Sequence, residues 1–151
     1  MKPTDLEHYL YDKIPLSRAM QVAAIEVSEQ TVRLSAPLAP NMNHRATVFG
    51  GSASAVAILS AWSLLHVRLH GISPGASIVI QRHSMNYERP VHGTFAARAS
   101  LAAPDEWPRF LRMLTRWGRA RIAVNSLLEY AGERVGHFNG EFVAFRGNSA
   151  A

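Results

Sequence analysis

Segments in which apolar and polar residues alternate make up most of the chain outside one long apolar stretch, and they predict β-strands. In residues 20–40, MQVAAIEVSEQTVRLSAPLAP, the alternation continues on both sides of Ser28–Gln30, which predicts a hairpin. Four later segments are rich in β-branched and aromatic residues and are separated by glycine or proline. They are GASIVIQRHSMNYERPV, GTFAARASLAA, RARIAVNSLLEY and ERVGHFNGEFVAFRG, and Ala131-Gly132 makes the last two a second predicted hairpin.

Two segments outside the predicted strands follow the helical pattern. The first, LEHYLYDKI, follows a capping residue at Thr4 or Asp5 and stops near Pro15. The second extends from Gly50 to His70 and is closed by Gly71. Its apolar residues surround most of the helical circumference, so we expect this helix to be buried on nearly every side.

A third helical segment, DEWPRFLRMLTRW, is amphipathic. Its apolar residues recur at i, i+3, i+4 and i+7, starting from Trp107. Arg109, Arg112 and Arg116 occupy the other side of the helix. Such a stripe is usually a solvated face, and the functional alternative is a docking surface for an acidic partner.

The composition predicts one soluble domain over residues 1–151. The chain is 48% hydrophobic and contains no cysteine, which excludes disulfides and thiolate chemistry. The N-terminal residues lack the apolar segment of a signal peptide. The longest apolar stretch, Ala53 to Leu65, is interrupted by three serines, and we expect it to be too short and too polar to span a bilayer. A cytoplasmic location, with no membrane contact, is therefore predicted.

The charge pattern points to an acidic partner. The net charge is +5, and 14 of the 16 basic residues are arginine, which favours bidentate contacts with carboxylate or phosphate. No helix-turn-helix, zinc-ligand or RNA-binding pattern is present, so nucleic acid is not expected as a partner. His66 and His70 have metal-ligand spacing but lack a third ligand, and a histidine pair at the helix end is the favoured interpretation. We predict no metal and no cofactor.

One long buried helix enclosed by an antiparallel sheet of five or six strands is an α+β arrangement that matches the hotdog fold. Across nearly its whole length the sequence resembles a family of thioesterase-like proteins that occur alone or as the C-terminal half of acetyltransferase fusions. The similarity lies in YDKIPLSRAM, NYERPVHG, GRARIAV and the loop pattern N-x-N-x(3)-T-x-F-x-G-S. That pattern starts at Asn41 and ends at Ser52.

The resemblance implies a reaction and partners. Members of the family decarboxylate malonyl-[acyl carrier protein] and so supply acetyl primers for fatty acid synthesis. Hotdog proteins pair through edge strands, with ligand sites at the subunit boundary, so we expect a homodimer or a dimer of dimers. The acidic partner would then be acyl carrier protein, docked on Arg109, Arg112 and Arg116, or the substrate would be a CoA thioester.

The loop that enters the central helix has no carboxylate, since residues 41–69 contain neither Asp nor Glu. Hydrolytic hotdog enzymes usually place an acid on or beside this helix as base or nucleophile. Loss of carbon dioxide from a malonyl thioester needs instead a stabilised enolate oxygen. Backbone amides at the helix N-terminus can provide this stabilisation, and a nearby carboxylate would repel the substrate.

These considerations assign candidate residues. We expect Asn43, Gly51 and Ser52 to be catalytic, with an asparagine amide as an additional donor and the Ser52 hydroxyl orienting the carboxylate. We expect substrate binding by four further residues, namely Asn41, Thr47, Phe49 and Gly50. In the structural alternative, the glycine pair allows close packing, Ser52 caps the helix, and the asparagines are turn residues.

Three functions remain open from the sequence. The first is decarboxylation of malonyl-[acyl carrier protein]. The second is hydrolysis of an acyl thioester, with water positioned by Asn43 and His44 and the substrate carbonyl polarised at Gly51. The third is a non-catalytic hotdog module that binds acyl chains or only dimerises.

Overall fold

The structure of the protein, a computed structural model, describes residues 1–147. Within them, six strands and four α-helices follow one another in the order αα ββ α ββ α ββ, and two short 3-10 turns cover residues 39–41 and 104–106. The helices are α1 (Pro3–Lys13), α2 (Pro15–Ala19), α3 (Gly50–Leu69) and α4 (Trp107–Trp117). The strands are β1 (Ala23–Val27), β2 (Val32–Ala36), β3 (Ser77–Tyr87), β4 (Phe95–Leu101), β5 (Arg119–Tyr130) and β6 (Glu133–Phe145).

The six strands form one antiparallel sheet in the order β1-β2-β4-β5-β6-β3. Both predicted hairpins are confirmed. The β5–β6 turn consists of Ala131 and Gly132, whose φ angles are +52° and +79°. Two successive positive φ angles give the turn a twist that matches the twist of the flanking strands.

The central helix α3 packs on the inner face of the sheet. Ten of its residues are buried, and Ser60 Oγ lies 2.8 Å from Ser126 Oγ of β5, so both hydroxyls have a partner in the apolar core. The prediction of burial on nearly every side is wrong for one face, because Ala55, Ile58 and Trp62 are only partly buried. That face lies beside β3, the strand at the end of the sheet, and no further strand of residues 1–147 covers it.

As a helix of 20 residues, α3 is long and apolar enough to cross a membrane by length and composition. The expectation of a segment too short and too polar concerns Ala53 to Leu65 alone and does not extend to the whole helix. The packing of α3 against five of the six strands of the sheet instead identifies it as the core helix of the fold.

The N-terminal helix α1 covers the other end of the sheet. The first helix begins earlier than predicted, at Pro3, and Asp5 in its first turn accepts a hydrogen bond from the backbone N–H of Lys2. Pro15 starts the short helix α2, which was not predicted. From α1, Glu7 Oε2 accepts the N–H of Ala24 at 3.0 Å, so a backbone donor of the edge strand β1 is satisfied by a side chain.

The predicted amphipathic helix is confirmed as α4. Phe110 and Leu114 are buried, and the helix ends at Trp117 and is followed by Gly118, whose φ of +76° is the left-handed conformation that glycine accommodates. At its start, the ring of Trp107 lies 4.1 Å from the guanidinium carbon of Arg68, in the last turn of α3. The buried side chains and the contact between Trp107 and Arg68 fix α4 beside the C-terminal end of the central helix.

Candidate functional site

The loop before α3 is organised by the side chain of Asn43. Asn43 Oδ1 accepts the backbone N–H groups of Arg45 (2.9 Å) and Thr47 (3.1 Å), and Nδ2 donates to Thr47 Oγ1 at 2.8 Å. This is the local side-chain to backbone bonding for which asparagine is common in turns. The carboxamide of Asn43 and the hydroxyl of Thr47 therefore bond to each other within the loop.

Asn41 joins the same loop to the body of the protein. It is 2% exposed, and its Nδ2 donates to the carbonyl groups of Met20 (3.0 Å) and Pro37 (2.8 Å). Its own backbone carbonyl accepts the N–H of Phe49 at 2.7 Å. Both amide hydrogens of Asn41 are thus engaged inside the protein, and its contacts are those of an anchor for the loop.

Three backbone N–H groups are free at the N-terminus of α3. The first helical hydrogen bond runs from Ala53 to the carbonyl of Phe49, and no acceptor within residues 1–147 pairs with the N–H of Gly50, Gly51 or Ser52. Phe49 is the N-cap residue and supplies no side-chain acceptor, so Ser52 does not cap the helix. These amides stand at the positive end of the helix dipole and can bind an anionic oxygen.

The glycine pair has two different environments. A β-carbon on Gly51 would lie 2.4 Å from Cε1 of Phe49, whose ring covers this position. A β-carbon on Gly50 would make ordinary contacts of 3.5 Å with the Tyr87 ring. The phenolic O–H of Tyr87 donates to the carbonyl of Gly50 at 3.1 Å, so the end of β3 lies directly beside the free amides. Close packing therefore explains glycine at position 51 better than at position 50.

One carboxylate near this site was missed from the sequence. Glu88 and Gly50 line a common cavity of about 300 Å³. Its Oε1 lies 2.8 Å from Arg134 Nη2 and 2.7 Å from His137 Nδ1, and these hydrogen bonds lower the pKa of Glu88. A carboxyl with a lowered pKa is a weak general base. Glu88 belongs to the sequence segment NYERP, but only the pairing of β3 with β6 brings it together with Arg134 and His137.

A second cavity, of about 280 Å³, follows the open face of α3. Its lining is almost entirely apolar and includes Ile58 and Trp62 of α3, Ile80 of β3 and Leu16 of α2. Ala55, which also lines it, is one helical turn from Gly51 on the same face of the helix. A thioester substrate whose carbonyl oxygen binds the free amides would thus place its apolar acyl group along this face of α3.

The predicted docking arginines lie far from the free amides in the same chain. Arg109, Arg112 and Arg116 are exposed on α4, beside the C-terminal end of α3. The 20 residues of α3 span about 30 Å at about 1.5 Å per residue. Within one subunit the structure therefore does not bring these arginines to the catalytic candidates.

The histidine pair differs from its predicted environment. The ring of His66 is half-buried and stacks on Tyr9 and Trp62, with centroid distances of 4.3 and 5.0 Å. Burial, and to a lesser extent the charge of His70, lower the pKa of His66. Within residues 1–147, no three His, Cys, Asp or Glu side chains are grouped to hold a metal ion.

Comparison with known proteins identifies the family. The family model described as putative thioesterase (yiiD_Cterm) matches residues 3–146. A Chlorobaculum tepidum protein of unknown function, OLEI01261, has 24% identity and a TM-score of 0.89, with 96% of this chain and 94% of that chain covered. A putative thioesterase from Shewanella oneidensis has 23% identity and a TM-score of 0.81, with 95% and 96% covered.

A third solved structure, the probable thioesterase PA5026 of Pseudomonas aeruginosa, has 20% identity and a TM-score of 0.78, with coverage of 95% and 96%. At these identities the solved structures establish the fold, so the prediction of a hotdog fold is confirmed. The family model covers nearly the whole chain, and the family implies acyl thioesters as substrates. The chain therefore belongs to the putative thioesterase (yiiD_Cterm) family.

Proposed function

We propose that the protein decarboxylates malonyl-[acyl carrier protein] to acetyl-[acyl carrier protein] in the cytoplasm, and so provides a primer for fatty acid synthesis. The observation that carries the proposal is the set of free amides at Gly50, Gly51 and Ser52, with no acidic side chain in the first turn of α3. Glu88, near these amides, is paired with Arg134 and His137.

The reaction requires stabilisation of one developing charge. As the bond between the α-carbon and the carboxylate breaks, carbon dioxide leaves and the electron pair moves into the thioester to form an enolate. The N–H groups of Gly51 and Ser52 stabilise the enolate oxygen, and one such preorganised donor contributes about 3 to 4 kcal/mol. A proton from water then adds to the α-carbon and gives the acetyl thioester. No base has to remove a proton before the bond breaks.

The other candidate residues take supporting roles. Asn43 and Thr47 hold the loop in the conformation that leaves the amides free, and Asn41 fixes this loop to the body of the protein. We assign positioning roles to both asparagines, because their amide hydrogens already have partners. The Ser52 hydroxyl orients the substrate carboxylate, and the exposed Phe49 ring provides an apolar wall beside it.

Hydrolysis of an acyl thioester is the second candidate, and the family description favours it. Glu88 would be the base that activates water. Its lowered pKa weakens that role, and its partners would have to release it. The apolar cavity beside α3 fits a longer acyl group better than a malonyl group.

The test is mass spectrometry of malonyl-loaded acyl carrier protein after incubation with the wild type and with the variants Ser52→Ala and Glu88→Gln. The proposal requires an acetyl group on the carrier, a lower yield with Ser52→Ala and an unchanged yield with Glu88→Gln. Release of the free carrier thiol, lost in Glu88→Gln, would show a hydrolase instead. An unchanged malonyl carrier with every protein would favour a non-catalytic module.

A further inference from the structure

The resemblance implies pairing through edge strands, and for a dimer paired along β3 we propose that the acidic carrier serving the free amides of one subunit docks on α4 of the other. The inference rests on the proposed function for its partner, an acyl carrier protein. It explains how arginines of α4, which lie beside the C-terminal end of α3, can bind the carrier for a site at the N-terminal end of α3.

The two edges of the sheet are not equivalent. At β1, side chains of α1 bond to the backbone, because Glu7 accepts the N–H of Ala24 and the hydroxyl of Tyr11 donates to the carbonyl of Val22. At β3, an edge strand of 11 residues, the only such bond within residues 1–147 runs from Trp62 Nε1 to the carbonyl of Ile78. A long uncovered edge strand is available to pair with another strand.

The surface next to the β3 edge is apolar. Leu16 is 57% exposed, and together with Ile80 of β3 it lines the cavity beside the open face of α3. Pairing through a two-fold axis normal to the sheet places the helices of both subunits on one side, so these apolar surfaces meet. Strands related by this axis are antiparallel.

The register of the sheet then decides which elements are neighbours. Arg119, directly after α4, is level with Ser77 through their shared partner Phe145. Tyr87, at the other end of β3, is level with the free amides through its bond to Gly50. If the whole of β3 pairs with its copy, Ser77 of the partner subunit is opposite Tyr87.

The partner's α4 therefore stands beside the free amides of the first subunit. It lies next to β5 of the partner, three strand spacings from β3 of the first subunit, or about 14 Å. The α4 of the same chain is separated from these amides by the length of α3, about 30 Å. The arm of a docked carrier thus has roughly half the distance to cover between subunits.

The surface of α4 matches an acidic carrier. Arg112 and Arg116 have no carboxylate partner within residues 1–147, and Arg116 lies over the ring of Trp117 at 5.0 Å. Trp117 is 64% exposed and, with Ile72, lines an open groove that includes both arginines. Arginines at the edge of an apolar patch can pair with acidic groups of a carrier while its apolar residues contact the groove.

The test uses heterodimers and does not depend on catalysis. The chain has no cysteine, so Ser52→Cys introduces a single thiol at the free amides. A carrier whose pantetheine thiol is activated as a pyridyl disulfide reacts with it: the thiolate attacks the carrier sulfur, a mixed disulfide forms, and pyridinethione leaves. Two affinity tags allow isolation of the mixed dimer, and the docking variant is Arg112→Glu with Arg116→Glu.

In the first heterodimer, one chain carries Ser52→Cys together with the docking changes and its partner is wild type. In the second, one chain carries Ser52→Cys alone and its partner carries the docking changes. The reference is the cross-linking rate of a dimer of one Ser52→Cys chain and one wild-type chain. The proposal requires the first heterodimer to react at nearly this rate. It requires the second heterodimer to react at least tenfold more slowly. The opposite pattern means docking within one chain, and equal rates mean that α4 does not dock the carrier.

Either of these results, or a monomeric protein in solution, would overturn the inference. The outcome is independent of the proposed reaction, because a malonyl carrier that stays unchanged in the mass-spectrometric assay has no influence on cross-linking. Arg33→Glu is the matched charge control, since Arg33 lies on β2 at the far end of the sheet, and it should not alter the rate.

Discussion

The hydroxyl of Tyr87 donates a hydrogen bond of 3.1 Å to the carbonyl of Gly50, and so joins the end of β3 to the first residue of α3. The Tyr87 ring also contacts the position that a β-carbon on Gly50 would occupy. The free amides are therefore held against the strand that forms the open edge of the sheet.

Tyr87→Phe keeps the ring contact and removes the hydrogen bond. Because the bond is exposed, we expect the free energy of unfolding, measured by urea denaturation, to fall by about 0.5 kcal/mol and by no more than about 1.5 kcal/mol. Under the proposed function the decarboxylation rate falls several-fold, because the start of α3 is less well positioned. A rate equal to that of the wild type would show that this bond does not position the amides.

Gly51→Ala places a methyl group against the Phe49 ring. Phe49 is 56% exposed and can rotate away, so we expect the free energy of unfolding to change by less than about 1 kcal/mol. The displaced ring and the added methyl obstruct the amide of residue 51, and activity should fall at least tenfold. In the double variant with Phe49→Ala, access to the amides is restored, and the rate should partly recover.

Asn41→Ala removes one buried and one partly buried hydrogen bond and leaves the carbonyl groups of Met20 and Pro37 without their donor. We expect a loss of about 2 to 4 kcal/mol in the free energy of unfolding, measured by chemical denaturation. Asn43→Ala is the comparison, because its bonds lie within one partly exposed loop, and its loss should be smaller. Equal losses would contradict the role of Asn41 as the anchor of the loop.

Leu16→Glu puts a charge on the apolar surface beside β3. In the proposed dimer Leu16 is buried between subunits, so this variant should sediment as a monomer at concentrations where the wild type is a dimer. Ile25→Glu is the matched control. Ile25 is 47% exposed on β1, at the other edge of the sheet, and its replacement should leave the dimer intact.

The protein should become less stable as the pH falls through about 6.5, the ordinary pKa of histidine. The pKa of His66 is lowered, so between the lowered value and 6.5 the unfolded chain binds more protons than the folded protein. Stability is therefore complete above the ordinary pKa and decreases below it. His66→Phe preserves the aromatic stack and should flatten the dependence of unfolding free energy on pH between 5 and 7.5, whereas replacement of the exposed His8 by Gln should not.

Apart from the short helix α2, the order and type of the helices and strands were evident from the sequence, because each depends on a local period of apolar residues. The β5–β6 hairpin, the long helix α3 and the basic helix α4 all lie where the patterns predicted them. The free amides also follow from local sequence, since the first turn of any helix has unpaired N–H groups and Phe49 cannot cap them.

The remaining features depend on contacts between residues that are distant in the chain. The bonds of Asn41 to Met20 and Pro37, the pairing of Glu88 with Arg134 and His137, and the open edge at β3 follow from strand order and loop packing. No local pattern encodes that β3 pairs with β6 and ends the sheet. The chemistry available at the start of α3 could thus be predicted from the local sequence, whereas the neighbours of that site depend on contacts between distant parts of the chain.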